Sequence, residues 1–277
     1  MEKLHAYILS FCSIVFIVSC TTKKNTFKDL SEEQKKQKIE EIIYKKSSYL
    51  QGSITGQKYY DSLIILDPDN AEYYKNKSIP HSKIGDYHIA FPLLQKAMEL
   101  NPEETLYYTA WLMTDLYKDY DRALQYLNQY DDYTPDKVDY AWGENVNFLK
   151  GEVLQALGRH EEAIIEFTKA IEEEGEDHID YSAFVYRGIS YDYLGELEKA
   201  LDDYNSTLKI YDKSSMAYYY RGLTYLKLDK KQKAIKDLEI ALSLIKKGYK
   251  KSDPYKEVYN EIYAMQVEDK LKELKNL

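Results

Sequence analysis

From residue 31 onward, apolar residues recur at three- and four-residue steps with polar residues between them, the period of amphipathic helices rather than strands. The pattern is clearest between Tyr181 and Ser214. There one periodic stretch runs to Leu194, Gly195 breaks it, and a second begins at Leu197. Ser215 to Gly248 repeats the arrangement, with a turn at Asp229-Lys230-Lys231 and Gly248 where a helix C-cap is expected. Tyr186-Arg187-Gly188 and Ala200 return as Tyr220-Arg221-Gly222 and Ala234, 34 residues later. A period of that size predicts one helical hairpin stacked on copies of itself.

Close crossing of two helices, about 8–10 Å between axes, needs small side chains. Gly151, Gly188 and Gly222 on first helices are expected to face Ala163, Ala200 and Ala234 on second helices. Ala97, Ala170 and Ala241 then admit the next hairpin, and Tyr191, Tyr225, Phe167 and Tyr204 fill the remaining gaps. This series resembles the tetratricopeptide repeat, in units spanning residues 31–69, 70–103, 104–137, 138–177, 181–214 and 215–248. The first unit is degenerate, with Gly56 where alanine is usual. The third carries Trp111 and Tyr130 at small-residue positions, which predicts a splayed hairpin. The fourth has six extra residues, Val138 to Gly143, expected to lengthen its first helix. The tail, 249–277, opens with Ser252-Asp253-Pro254 and predicts one helix covering the last apolar face. The expected fold is all-α: an α-α superhelix, a tetratricopeptide-repeat solenoid of five to six hairpins over 31–248, closed by a C-terminal capping helix.

The N-terminus reads as an address. Ile8 to Ser19 is an uncharged run of twelve residues, the length of a signal-peptide core and short of the roughly 20 residues a membrane helix needs. Ile17-Val18-Ser19-Cys20, followed by polar Thr21-Thr22-Lys23-Lys24-Asn25, resembles a bacterial lipobox. The resemblance implies a signal peptide at 1–19, lipidation of Cys20 and a lipidated tether over 20–30. Several buried acyl methylenes, each worth about 0.8 kcal/mol, would anchor the chain stably. Thr21 rather than aspartate after the cysteine points to an outer membrane. No acidic run follows Cys20, so the expected location is the bacterial cell envelope, lipid-anchored at the outer membrane and facing the periplasm.

Composition changes this picture little. Of 277 residues, 44% are hydrophobic and 31% charged, a globular balance. The net charge of −9 argues against nucleic acid held through phosphates. Cys12 and Cys20 are the only cysteines, so no thiolate metal site is possible beyond them. His81, His88, His160 and His178 lack metal-ligand spacing. Asp67-Pro68-Asp69-Asn70 lacks the ligand and glycine positions of a calcium loop and reads as a turn. Ser190 lacks the glycine of a nucleophile elbow, since Asp192 occupies that place. No catalytic constellation, cofactor site or metal site is expected.

Thirty tyrosines are more than packing in such repeats requires. In the repeat family, the inner face of the first helices lines the binding groove. Here the resemblance places Tyr108, Leu112, Asp115, Phe148, Glu152 and Tyr186 on that face, followed by Ile189, Asp192, Tyr193, Tyr219, Tyr220 and Leu223. Tyrosine offers large apolar contact and a hydroxyl at low entropic cost, which suits peptide recognition. Asp115, Glu152 and Asp192 favour an apolar segment bearing basic residues. The expected function is a non-enzymatic scaffold or adaptor, anchored to the membrane through Cys20, that binds a protein or peptide partner. The alternative is a glycan- or nutrient-binding helical-repeat lipoprotein, for which tyrosine faces also stack on sugars.

Overall fold

The structure, a computed structural model, describes residues 27, 29–135, 140–141, 144–175, 179–253 and 257–276. The segment 1–19, Cys20, most of the tether, Trp142, His178 and Pro254 lie outside the described residues.

Among the described residues, six antiparallel helical hairpins follow one another. The first two are α1 (Glu32–Lys46) with α2 (Ile54–Leu66), and α3 (Ala71–Lys83) with α4 (Tyr87–Leu100). Next come α5 (Pro102–Leu112) with α6 (Tyr120–Tyr133), and α7 (Val146–Ala156) with α8 (His160–Glu174). Then follow α9 (Ser182–Tyr193) with α10 (Leu197–Ile210), and α11 (Ser215–Lys227) with α12 (Lys231–Lys246), before a final α13 (Ala264–Asn276). Five of the six first helices start on side-chain caps: Ser31, Asn70, Asn101, Asn145 and Ser214 each accept a main-chain N–H of the first turn. Five of the six turns within hairpins use a left-handed residue, which is Gly85, Gly158 and Gly195 in three of them. Lys118 and Asp229 take that role in the third and sixth hairpins.

The small residues act differently from the expectation. A Cβ on Gly151 would stand 2.6 Å from the Phe167 ring, and one on Gly188 would stand 2.7 Å from the Tyr204 ring. The glycines therefore make room for the aromatic residue of the second helix, not for its alanine. A Cβ on Gly222 would stand 3.3 Å from the Ala234 carbonyl oxygen, and there the facing side chain is Leu238, at 3.2 Å. Gly56 is required for another reason: a Cβ would meet the Leu50 carbonyl oxygen at 2.6 Å.

Two further expectations are corrected. The extra residues of the fourth unit do not lengthen α7. Two-residue strands β1 (Tyr140–Ala141) and β2 (Glu144–Asn145) pair antiparallel there, and Asn145 caps α7. The third hairpin meets its bulky residues with a π-helix, Met113–Tyr117, that extends α5. Tyr107 and Tyr130 pack at 6.0 Å, and Tyr108 and Trp111 stack at 6.2 Å. Finally, the tail is not one helix from Ser252, because helix begins only at Ala264. From there α13 closes the solenoid as expected, burying Val267, Leu271 and Leu274 against Leu238 on α12 and Tyr219 and Leu226 on α11.

The largest core cluster runs through hairpins three to six, from Leu106 to Ala217, and takes in Ile262 from the tail. The first hairpin has its own small core of Ile42, Tyr60, Leu63 and Leu66.

Candidate functional site: an inner face that holds its own tail

First helices approach one another along the solenoid (α3 with α5, α7 with α9, α9 with α11), so they form its inner face. Residues 249–253 and 257–263, here called the strap, lie along that face before α13. Tyr186 Oη donates to the main-chain oxygen of Tyr259 (3.1 Å), and the two rings meet edge to face at 5.5 Å. Asn260 Nδ2 donates to Gln155 Oε1 (3.0 Å). Gln155 Nε2 in turn donates to the Tyr186 main-chain oxygen and to Ser190 Oγ, both at 2.6 Å. Lys251 Nζ lies 3.1 Å from Asp180 Oδ2 and 2.9 Å from Ser182 Oγ. Val258 and Ile262 are buried.

The electrostatics fit this seating. Burial pushes the Tyr186 hydroxyl well above the usual tyrosine range, and Glu152 and Asp180 push the same way. Burial likewise raises the Tyr259 hydroxyl, with Glu152 adding to it. Burial opposes the Lys251 charge, but Asp180 and Glu152 outweigh it and hold the group above the usual lysine value. Asp180 is held below the usual aspartate value: burial raises it, and Lys251 and Ser182 more than offset that.

The expected groove residues divide into four sets. Tyr108, Leu112, Asp115, Phe148 and Tyr186 are buried, and Glu152 is half-buried. Asp115, Phe148, Glu152 and Tyr186 line a cavity of about 170 Å³ together with Lys251, Val258 and Tyr259 of the strap. Asp192 is engaged inside the solenoid, accepting from Thr224 Oγ1 (2.6 Å) and pairing with Lys227 on α11. Ile189, Tyr219, Tyr220 and Leu223 are half-buried, with Tyr219 and Tyr220 edge to face at 5.2 Å. Tyr193 alone is widely open, 71% exposed, with one ring face stacked 3.8 Å from His160. Towards the N-terminal side, Ile79, Tyr108, Trp111, Leu112 and Leu116 line a second, apolar cavity of about 120 Å³, together with Lys83 and Asp253.

Sequence reasoning missed Gln155, Asp180, Lys251, Tyr259 and Asn260. Val258 and Ile262, four residues apart, imitate one face of a helix, and this hid the strap. Asn260, left-handed at φ 55°, is the residue type that tolerates such a break and is its one local signal.

The other chemical candidates fall into structural roles. Asn70 caps α3, so Asp67–Asn70 is the turn between hairpins. Ser190 is buried between Gln155 and His160. Among the described residues no group of three or more His, Cys, Asp or Glu is placed to hold a metal ion, and no helix is long and apolar enough to cross a membrane.

A tetratricopeptide-repeat profile matches residues 145–177 and a second one matches 187–248. Comparison with the curated proteins finds no match. Among solved structures, the chain is similar to MamA (residue 41 to the end) from Desulfovibrio magneticus RS-1, at 18% identity and a TM-score of 0.56. That match covers 64% of this chain and 96% of that one. YrrB, described as a TPR protein with an unusual peptide-binding site, matches at 20% identity and a TM-score of 0.53, covering 67% and 91%. Cut9 with Hcn1, an APC/C hetero-tetramer, matches at 17% and 0.55, covering 84% of this chain and 40% of that one. At these identities the likeness concerns fold. The chain thus carries tetratricopeptide repeats, assembled into an all-α solenoid.

Proposed function

We propose that the protein is a non-enzymatic scaffold, lipid-anchored through Cys20 in the bacterial cell envelope, that recruits a protein partner along its inner face. One observation carries the recruitment reading. The inner face holds a non-helical chain segment, turned at Asn260, through contacts to main chain and side chain, with Tyr186 donating to a carbonyl and Gln155 accepting from an amide. A surface that seats one peptide in this way has the chemistry to seat another. The unusual peptide-binding site described for YrrB supports this reading by analogy of fold. The anchor reading rests on the apolar run Ile8–Ser19 ending at Cys20. It gains support from the first hairpin, to which the tether leads: Tyr44, Leu50 and Ile54 are 80%, 84% and 77% exposed there, a composition suited to a lipid interface.

In-cell crosslinking of the anchored chain, with pull-down, tests recruitment. Capture of a defined partner, lost on Tyr193→Ala with Trp111→Ala, is the expected result; capture unaffected by both changes counts against the inner face. Globomycin should make the precursor accumulate, and Cys20→Ser should move the protein from the membrane to the soluble fraction. The glycan reading keeps one observation in its favour, the half-buried Trp111 stacked on Tyr108 beside an apolar cavity. A glycan array separates the two.

A further inference from the structure

The strap shows what the inner face recognises. It is joined to the solenoid at both ends, at Gly248 after α12 and through α13, whose Val267, Leu271 and Leu274 pack independently of it. Part of its order is internal: Lys250 pairs with Glu261, the Val258 N–H donates to Glu261 Oε2 (3.1 Å), and Tyr263 Oη donates to Glu257 Oε1 (2.8 Å). A cavity of about 170 Å³ lined by Val258 and Tyr259 together with Phe148 and Glu152 leaves room for a larger side chain. A tethered ligand of middling fit excludes weak competitors and yields to one that fits better.

We propose that the partner of this face is a peptide that replaces the strap and reuses its contacts, turning where the strap turns at Asn260. It carries a lysine or arginine for the Asp180–Ser182 position, then an aliphatic–aromatic pair that fills the cavity beside Phe148. A side-chain amide follows, for Gln155. The charge of the face commits the occupant to a basic peptide. Asp115 and Glu152 line the cavity beside Lys251, and Lys251 pairs with Asp180. Arginine in place of that lysine would engage a carboxylate with two parallel N–H donors, a gain the strap does not have.

The proposal rests on the recruitment reading, and its test fails separately from that reading. A fluorescein-labelled synthetic peptide of sequence 250–263 is titrated, by anisotropy, against the full chain in detergent. A second titration uses the chain with its strap weakened by Lys251→Ser, Val258→Ser and Asn260→Ala. The weakened chain should bind the probe about 10-fold or more tightly than the unchanged one, as expected when a competing intramolecular state is removed. Adding Gln155→Ala and Asp180→Asn should cancel the gain. Circular dichroism melts identify any variant that has lost its fold, and Lys251→Ser alone then serves as the weakened chain. Equal binding to both chains, or binding indifferent to Gln155 and Asp180, overturns the proposal. So does a weakened chain that dimerises and ignores the probe, since the strap would then belong to a second copy. A partner captured in cells without need of Gln155 or Asp180 sinks this assignment and leaves the scaffold function standing.

Discussion

The second hairpin and the last two share one construction but tie themselves to their neighbours with different cations. In each, the residue before the small position of the first helix is basic: Lys77 before Ser78, Arg187 before Gly188, Arg221 before Gly222. Lys77 reaches only backward, to Asp61 on α2. Arg187 forks. It holds both oxygens of Asp203 on its own hairpin at 2.9 and 2.7 Å, and donates backward to Thr168 on α8 at 3.1 Å. Arg221 does the same with Asp237 (2.7 and 3.0 Å) and Asn205 (2.7 Å). In the fourth hairpin Lys150 again has a single backward partner, Asp131 at 2.6 Å. Where the backward partner is aspartate the cation is lysine, and where it is neutral the cation is arginine with a buried aspartate of its own. One point charge serves one carboxylate, whereas a planar fork serves two helices at once.

Breaking the forks is expected to give the largest effect. Asp203 and Asp237 are 5% and 4% exposed, and burial already pushes the Asp203 carboxyl above its usual value despite Arg187. Arg187→Ala or Arg221→Ala strands a buried carboxylate, at a cost of about 3–5 kcal/mol. Lys77→Ala leaves Asp61 half exposed to water, and exposed pairs contribute about 0–1 kcal/mol. Urea unfolding followed by circular dichroism measures both, and similar losses at the two sites would show that the comparison is wrong.

The two ends also differ in helix interiors. Pro80 lies inside α3 and Pro92 inside α4. Pro80 removes the bond to the Asn76 carbonyl, and the Gln51 side chain fills the vacancy at 2.8 Å. Pro92 sits on the exposed face of α4, and Pro92→Ala should stabilise the second hairpin by up to ~3 kcal/mol. At the other end Gly188→Ala should destabilise by about 1–3 kcal/mol, because the new Cβ falls 2.7 Å from Tyr204. The two substitutions have opposite signs at opposite ends. Amide hydrogen exchange, which reports opening hairpin by hairpin, should show protection rising in α3–α4 for the first and falling in α9–α10 for the second.

How far this was legible depended on whether the signal was local. Helix periods, caps and the 34-residue register lie along the chain, so the hairpins and the solenoid could be read from residues such as Gly195, Asn70 and Arg187. The glycine partners could not: which of Ala200 or Tyr204 faces Gly188 depends on how far the second helix slides, and the Tyr204 ring reaches four residues past the alanine. The inner-face positions could be named from the repeat pattern. What covers them could not, because the strap meets Gln155 from a place more than a hundred residues away, through a carbonyl and an amide that carry no periodicity. The same blindness applies to Asp192, expected to face a ligand and engaged instead by Thr224 and Lys227 one hairpin on.

The smallest expected effect separates the open part of the inner face from the covered part. Tyr193 is exposed, but its ring covers His160, which burial holds below the usual histidine value. A histidine with a lowered folded pKa binds fewer protons in the folded state, so its contribution to stability is lost as pH falls through the unfolded value of about 6.5. Tyr193→Ala admits water to the ring and should move the His160 pKa up towards that value, shrinking the loss on acidification. Overall stability should change by no more than about 0.5 kcal/mol, the range of surface substitutions. An NMR titration of the His160 ring protons reads the shift directly. A pKa that does not move would mean that Ser190 and Gln155, not the tyrosine, set the environment of His160, and that Tyr193 stands free of the core.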